Sequence, residues 1–140
     1  IGAEMHLSEC PQSVAWLGRG PHENYPDRKA SADFGRWIQP IASMHTPYIF
    51  PSDNGLRCDT QQLQIGDIEL LGHFYFSVSQ YGQQQLARAK HTYELERQPG
   101  LFVYFDGFHM GVGGDDSWTP SVRPEYRLLR NQYQWKFVLK

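Results

Sequence analysis

Ile68-Glu-Leu-Leu-Gly-His-Phe-Tyr-Phe-Ser-Val-Ser79 is the stretch whose reading decides the fold. Phe74, Phe76 and Val78 fall on one side of an extended chain, and His73, Tyr75 and Ser77 on the other. That two-residue period is the mark of a strand with one face turned inward. Upstream, Gly66-Asp67 supplies a turn, and Leu56 to Ile65 reads as the return strand of a hairpin. Its other arm is Met44-His-Thr-Pro-Tyr-Ile-Phe-Pro51, kept extended because residues before Pro47 and Pro51 are pushed out of helix. Ser52-Asp-Asn-Gly55 joins the arms, since Asn-Gly accepts positive φ at both central positions of a tight turn. Further back, Ile1 to Ser8 alternates as a strand, Val14 to Gly18 is a short strand, and Ala32 to Ile38 carries Phe34 and Trp37 on another.

Downstream, Ser79 to Ala89 is the best helix candidate, with Ser79 as its cap. His91 to Arg97 returns to alternation, and Leu101 to Phe105 is a strand apolar on both faces. Glu125 to Leu129 and Gln132 to Leu139 are expected to pair across Arg130-Asn131, with Tyr133, Trp135, Phe137 and Leu139 sharing a face. Short strands punctuated by Pro, Gly and Asn, with almost no helix, predict an all-β antiparallel β-sandwich.

With 140 residues the chain is one domain or part of one. Its net charge of −2 and its scattered basic residues give no electrostatic case for nucleic acid or an anionic membrane. No apolar window approaches the roughly 20 residues of a membrane span. The alternation already under way at Ile1 predicts a piece of a longer polypeptide, whose exposed strand edges would make it self-associate in isolation. Cys10 and Cys58 are too few for a disulfide framework and are expected to be reduced thiols.

Two polar segments carry the chemistry. Arg19 to Arg28 is dense in turn formers, and a helical turn over Asp27 to Ala32, started by Pro26, is expected after it. His22 with Glu23 has the composition of an acid/base pair or half a metal site. A polar loop tying down its own backbone is preferred, because no second ligand pair appears at metal-site spacing. His45, His73 and His91 lie on extended segments without ligand spacing and read as satisfied histidines. The second segment is Asp106-Gly-Phe-His-Met-Gly-Val-Gly-Gly-Asp-Asp-Ser-Trp118, with four glycines, a histidine, three aspartates and a tryptophan. Its glycines permit positive φ or close approach to another surface. Trp118 is either buried in the core or held with one face free. A free indole suits a sugar ring, apolar on its C–H face and polar at its rim. Asp115 and Asp116 read as turn formers or backbone acceptors, and with His109 they would position the loop.

Trp16-Leu-Gly-Arg-Gly-Pro-His-Glu-Asn-Tyr-Pro-Asp-Arg28, Thr46-Pro-Tyr-Ile-Phe-Pro-Ser-Asp-Asn-Gly-Leu-Arg57, Gln83-Gln-Gln-Leu86 and the 106–118 segment together resemble the carboxyl-terminal part of large bacterial β-galactosidases of glycoside hydrolase family 2. The likeness runs over the whole chain. It implies about the second half of the last β-sandwich domain, a supersandwich of the galactose-mutarotase-like class. It implies cytoplasmic homo-oligomers that hydrolyse terminal β-D-galactosides such as lactose. By this resemblance Trp118 inherits stacking on the aglycone sugar, so galactoside or glucose and the remaining domains of the parent chain are the implied partners. Retaining glycosidases need two carboxyl groups about 5–5.5 Å apart. The family carries them on a preceding (β/α)₈ barrel, together with its Mg²⁺ and Na⁺ ligands. No catalytic residue, metal ligand or cofactor site is therefore expected within these residues. A second reading, a free-standing mutarotase-like or carbohydrate-binding β-sandwich, would need His109 paired with Glu23 or Glu125 about an anomeric carbon.

Overall fold

The computed structural model describes residues 1–48, 53–116, 118–119 and 121–140. Within them the chain forms β1 (Gly2–Leu7), β2 (Ser13–Gly20), β3 (Asp33–Pro40), β4 (Arg57–Ile65), β5 (Ile68–Ser79), β6 (Leu101–Asp106) and β7 (Phe137–Leu139), with α1 (Gln83–Arg88) after β5. All pairings are antiparallel, in the order β1-β6-β5-β4-β2-β3, and β7 also joins β5. The fold is the all-β class expected, its strands continuous in one sheet.

The register explains the core. Phe76 faces Phe105 and Val78 faces Val103 across β5–β6. Leu63 faces Leu70 across β4–β5, and Val14 and Trp16 face Ile65 and Leu63 across β2–β4. Alternation in each strand therefore adds to one apolar row, closed over by Ile41 and Met44 from the turn after β3. Each large side chain shut away here contributes about 1.5–3 kcal/mol. β5 is the spine. With β4 on its other edge, β6 takes its Tyr75–Ser79 half and β7 its Leu70–Gly72 stretch.

The ladder of β4 is interrupted between Arg57 and Gln62, with Asp59 at φ +54°. This bulge turns the Asp59 carboxylate toward Arg19 Nε at 2.6 Å and Lys29 Nζ at 2.9 Å. Just before it, Asn24 pins the polar 21–28 loop to β4. Its N–H donates to the Leu56 carbonyl (2.8 Å), and its Oδ1 accepts the Cys58 N–H (3.0 Å).

Several expectations do not hold. β4 pairs with β2 and β5, and residues 44–48 are not a strand. The Asn54 side chain takes that role by binding Thr46 at both its N–H (2.9 Å) and its carbonyl (2.6 Å). Ile49, Phe50, Pro51 and Ser52 of the expected hairpin lie outside the described residues. No helical turn forms over Asp27 to Ala32. Tyr25 and Arg28 pair backbone to backbone, so the chain reverses there. The helix is shorter than its candidate segment, starting at Gln83 without a side-chain cap, and Ser79 Oγ accepts the Tyr81 N–H instead. His91 to Arg97 holds a 3₁₀ turn, Thr92–Glu94, because the Glu94 carboxylate accepts the Lys90 N–H at 2.8 Å and bends the chain.

Nor does the terminal hairpin appear. Glu125 lies in a 3₁₀ turn, Pro124–Tyr126, and only Phe137–Leu139 joins the sheet. Rings do the work of a ladder: Tyr133 meets Phe108 edge-on at 4.9 Å, and Trp135 meets Phe105 at 6.1 Å. Cys10 and Cys58 are both free, the first exposed and the second buried. His45 departs from the satisfied histidine expected: its Nδ1 is buried with no partner among the described residues, and burial lowers its pKa. No described helix is long and apolar enough to cross a membrane.

Candidate functional site

The two polar segments, 85 residues apart in sequence, meet at one place. The Tyr25–Arg28 turn, pinned by Asn24, presents the Asp27 carboxylate with its side chain only 4% exposed. Oδ1 accepts the N–H of Val112 at 3.0 Å, and Oδ2 accepts that of Gly113 at 2.8 Å. Two adjacent backbone donors on one carboxylate form a strong charge-assisted clamp. It explains the glycine at 111, where a Cβ would lie 2.6 Å from Asp27 Oδ2. Beside it Arg28 donates to the Gly113 carbonyl (2.6 Å) and to Asp115 (2.8 Å), which Arg123 also grips (2.9 Å).

Beyond the clamp the chain becomes an arm. Asp116 Oδ1 accepts the N–H groups of Trp118 (2.8 Å) and Thr119 (2.7 Å), and its Oδ2 accepts the Thr119 hydroxyl (2.9 Å). Those bonds hold the Asp116 carboxyl below the usual carboxylate range, and Arg123 and Arg28 do the same for Asp115. Asp116 is thus a backbone acceptor, whereas Asp115 bridges two guanidinium groups. Trp118, at the end of this turn, is 90% exposed. Of the two placements open from sequence, the free face is the one found.

His109 sits at the root of the arm. Its ring lies between Tyr25 and Tyr75, with centroids at 6.0 and 6.2 Å, and its Nδ1 meets the Met110 carbonyl at 2.7 Å. If Nδ1 donates there, Nε2 is left facing Asp53 at 3.9 Å. The ring borders a cleft of about 240 Å³ whose wall includes Tyr25, Asp53, Ser77, Gln83 and Tyr104, and Trp118 is not among its lining residues.

Glu23 does not join His109 as a free carboxylate. Its Oε2 accepts the hydroxyls of Tyr25 (3.2 Å) and Tyr48 (2.9 Å) and the Gly55 N–H (2.9 Å). Its companion His22 contacts Ser31 Oγ at 3.0 Å, so both tie down loops, as the polar-loop reading has it. Glu125 borders a separate shallow concavity with His109, Tyr75 and Lys29. Among the described residues, no three His, Cys, Asp or Glu side chains converge as a metal site. Asp27, Arg28 and Asn24 are the functional organisers that sequence reasoning missed. They read as a loop closing on itself, and nothing local marks a partner 85 positions away.

The family model described as the beta-galactosidase small chain matches residues 1–139. A beta-galactosidase of Enterobacter cloacae is 58% identical over 137 residues, which is 98% of this chain and 13% of that protein. One from Aeromonas hydrophila subsp. hydrophila is 56% identical over 144 aligned positions, covering 100% of this chain and 14% of the relative. One from Klebsiella pneumoniae strain 342 is 50% identical over 140 residues, again 14% of its own length. The chain thus spans about one seventh of the curated relatives it matches.

Proposed function

The chain belongs to the beta-galactosidase small-chain family, and on that premise we propose that it is the non-catalytic part of a β-galactosidase that offers Trp118 as a stacking platform to the aglycone sugar. The parent enzyme hydrolyses terminal β-D-galactosides such as lactose by the retaining route. That route needs two carboxyl groups, one nucleophile and one acid/base. We assign both, and the Mg²⁺ and Na⁺ sites, to parent sequence outside these residues. Cytoplasmic location and homo-oligomeric assembly belong to the same reading.

The observation that carries it is an indole 90% exposed to solvent, on a backbone held by Asp116 and the Asp27 clamp. An exposed Trp on a loose loop would lose its stacking energy to ordering. One on a held turn has met that cost beforehand. Stacking on the C–H face of glucose gives about 1 kcal/mol beyond area burial. It retains the leaving sugar and selects among acceptors, without acting on the bond itself.

Trp118→Ala in the full-length enzyme tests this. KM for lactose rises and glucose binding weakens by roughly five- to tenfold, while loss of a nitrophenol aglycone is little changed. Equal effects on all three would remove the platform role.

A further inference from the structure

We infer that Asp27 is the positioning residue for the Trp118 arm, setting aglycone discrimination from a turn that never touches sugar. The inference rests on the platform reading above and adds the device that makes the platform rigid.

Asp27 is a carboxylate whose side chain is almost wholly withdrawn from water, and both its oxygens are spent on the arm. A buried carboxylate is tolerated only where its lone pairs are met. The two N–H groups, from Val112 and Gly113, are successive in the chain, so the carboxylate fixes a peptide plane as well as a distance. Arg28 closes the opposite side through the Gly113 carbonyl, so residue 113 is held at both its N–H and its C=O. From there the arm runs only through Gly114 and Asp115 to the Asp116 turn that carries Trp118. A tilt at 113 is therefore carried to the indole. The turn is itself fixed to β4 through Asn24, which is 1% exposed. Sheet, turn, clamp, arm and indole form one mechanical series.

The test uses the full-length enzyme and two variants of different severity. Asp27→Asn keeps the shape but turns an amide NH₂ toward one of the two backbone donors. Arg28→Ala removes the outer grip and leaves the buried carboxylate in place. Each is assayed for kcat/KM on lactose and on a nitrophenyl galactoside, alone and combined with Trp118→Ala. Exchange of the Val112 and Gly113 amides is followed in parallel.

Losing one charge-assisted bond is expected to lower kcat/KM for lactose on the order of tenfold, with the aryl substrate changed less than twofold. The difference should vanish in the Trp118→Ala background, and the two amides should exchange faster. Equal losses on both substrates, losses that persist without Trp118, or unchanged exchange would overturn the inference. Should Asp27→Asn fail to fold, Asp27→Glu, which keeps the charge but displaces the carboxylate by one methylene, decides by the same criteria. If Trp118→Ala alone leaves lactose unaffected, the platform reading fails, and the exchange data still decide whether Asp27 orders the arm.

Discussion

Gly113 and Gly114 provide a controlled comparison within one loop. Both have positive φ, +70° and +80°. An alanine at either would cost about 1–2 kcal/mol for entering the left-handed region. They differ in space: a Cβ on Gly113 would meet the Ser121 carbonyl oxygen at 2.7 Å, and one on Gly114 would meet nothing within 4 Å. Collision with a backbone oxygen has no flexible end to give way, so overpacking adds about 1–3 kcal/mol. Gly114→Ala should therefore raise local opening of the arm by a factor of roughly 5–30, the usual return on 1–2 kcal/mol. Gly113→Ala should exceed it by about a further tenfold. Exchange of the Val112 amide in the full-length enzyme reads this directly, because its acceptor, Asp27, is untouched in both variants. Lactose selectivity should follow the same order. Equal exchange in the two variants, or faster exchange in Gly114→Ala, would refute crowding as the reason for glycine at 113.

Two further outcomes concern the sheet itself. Burial raises the Cys58 thiol and the Tyr48 phenol each to about 12, from ordinary values of 9.0 and 10.0. Above those ordinary values the unfolded chain sheds protons that the folded one keeps, so stability is intact below about pH 9 and declines as pH climbs toward 12. Cys10 should react at once with a thiol reagent and Cys58 only as the fold opens, sooner at alkaline pH; equal rates would contradict this. Phe76→Ala, at a fully buried site between β4 and β6, should destabilise the fold by about 3–5 kcal/mol by denaturant titration. A loss under about 1 kcal/mol would mean the β5 row is not the core.

The sheet was legible where alternation and burial coincide. Ile68 to Ser79 is a strand over its whole length, and the rows of Phe74, Phe76 and Val78 are buried as read. The terminal segment shows the limit of that signal. Tyr133 and Trp135 are each less exposed than their neighbours, as a strand would have them, yet rings on Phe108 and Phe105 cause it. Period reports a buried face and says nothing of what covers it. Glu94 and Asn54 fail for a related reason: each spends its side chain on nearby backbone and bends a segment whose residue types favour extension. In the loop, Asp116 was readable as a backbone acceptor, whereas the Gly-rich composition left the placement of Trp118 open between core and surface. Asp27 was visible as a residue but not as an anchor, because a carboxylate meeting amides across the fold leaves no spacing to find.

The clamp and the turn grip main chain: Asp27 holds two amides, Arg28 a carbonyl, and Asp116 two amides more, while the side-chain ties of the arm go to Asp115 and Thr119. None of them senses which side chain is displayed at 118. The mount and its tip are therefore chemically independent. Exchanging the indole for a phenol, an imidazole or a guanidinium should redirect acceptor choice without rebuilding the support beneath it.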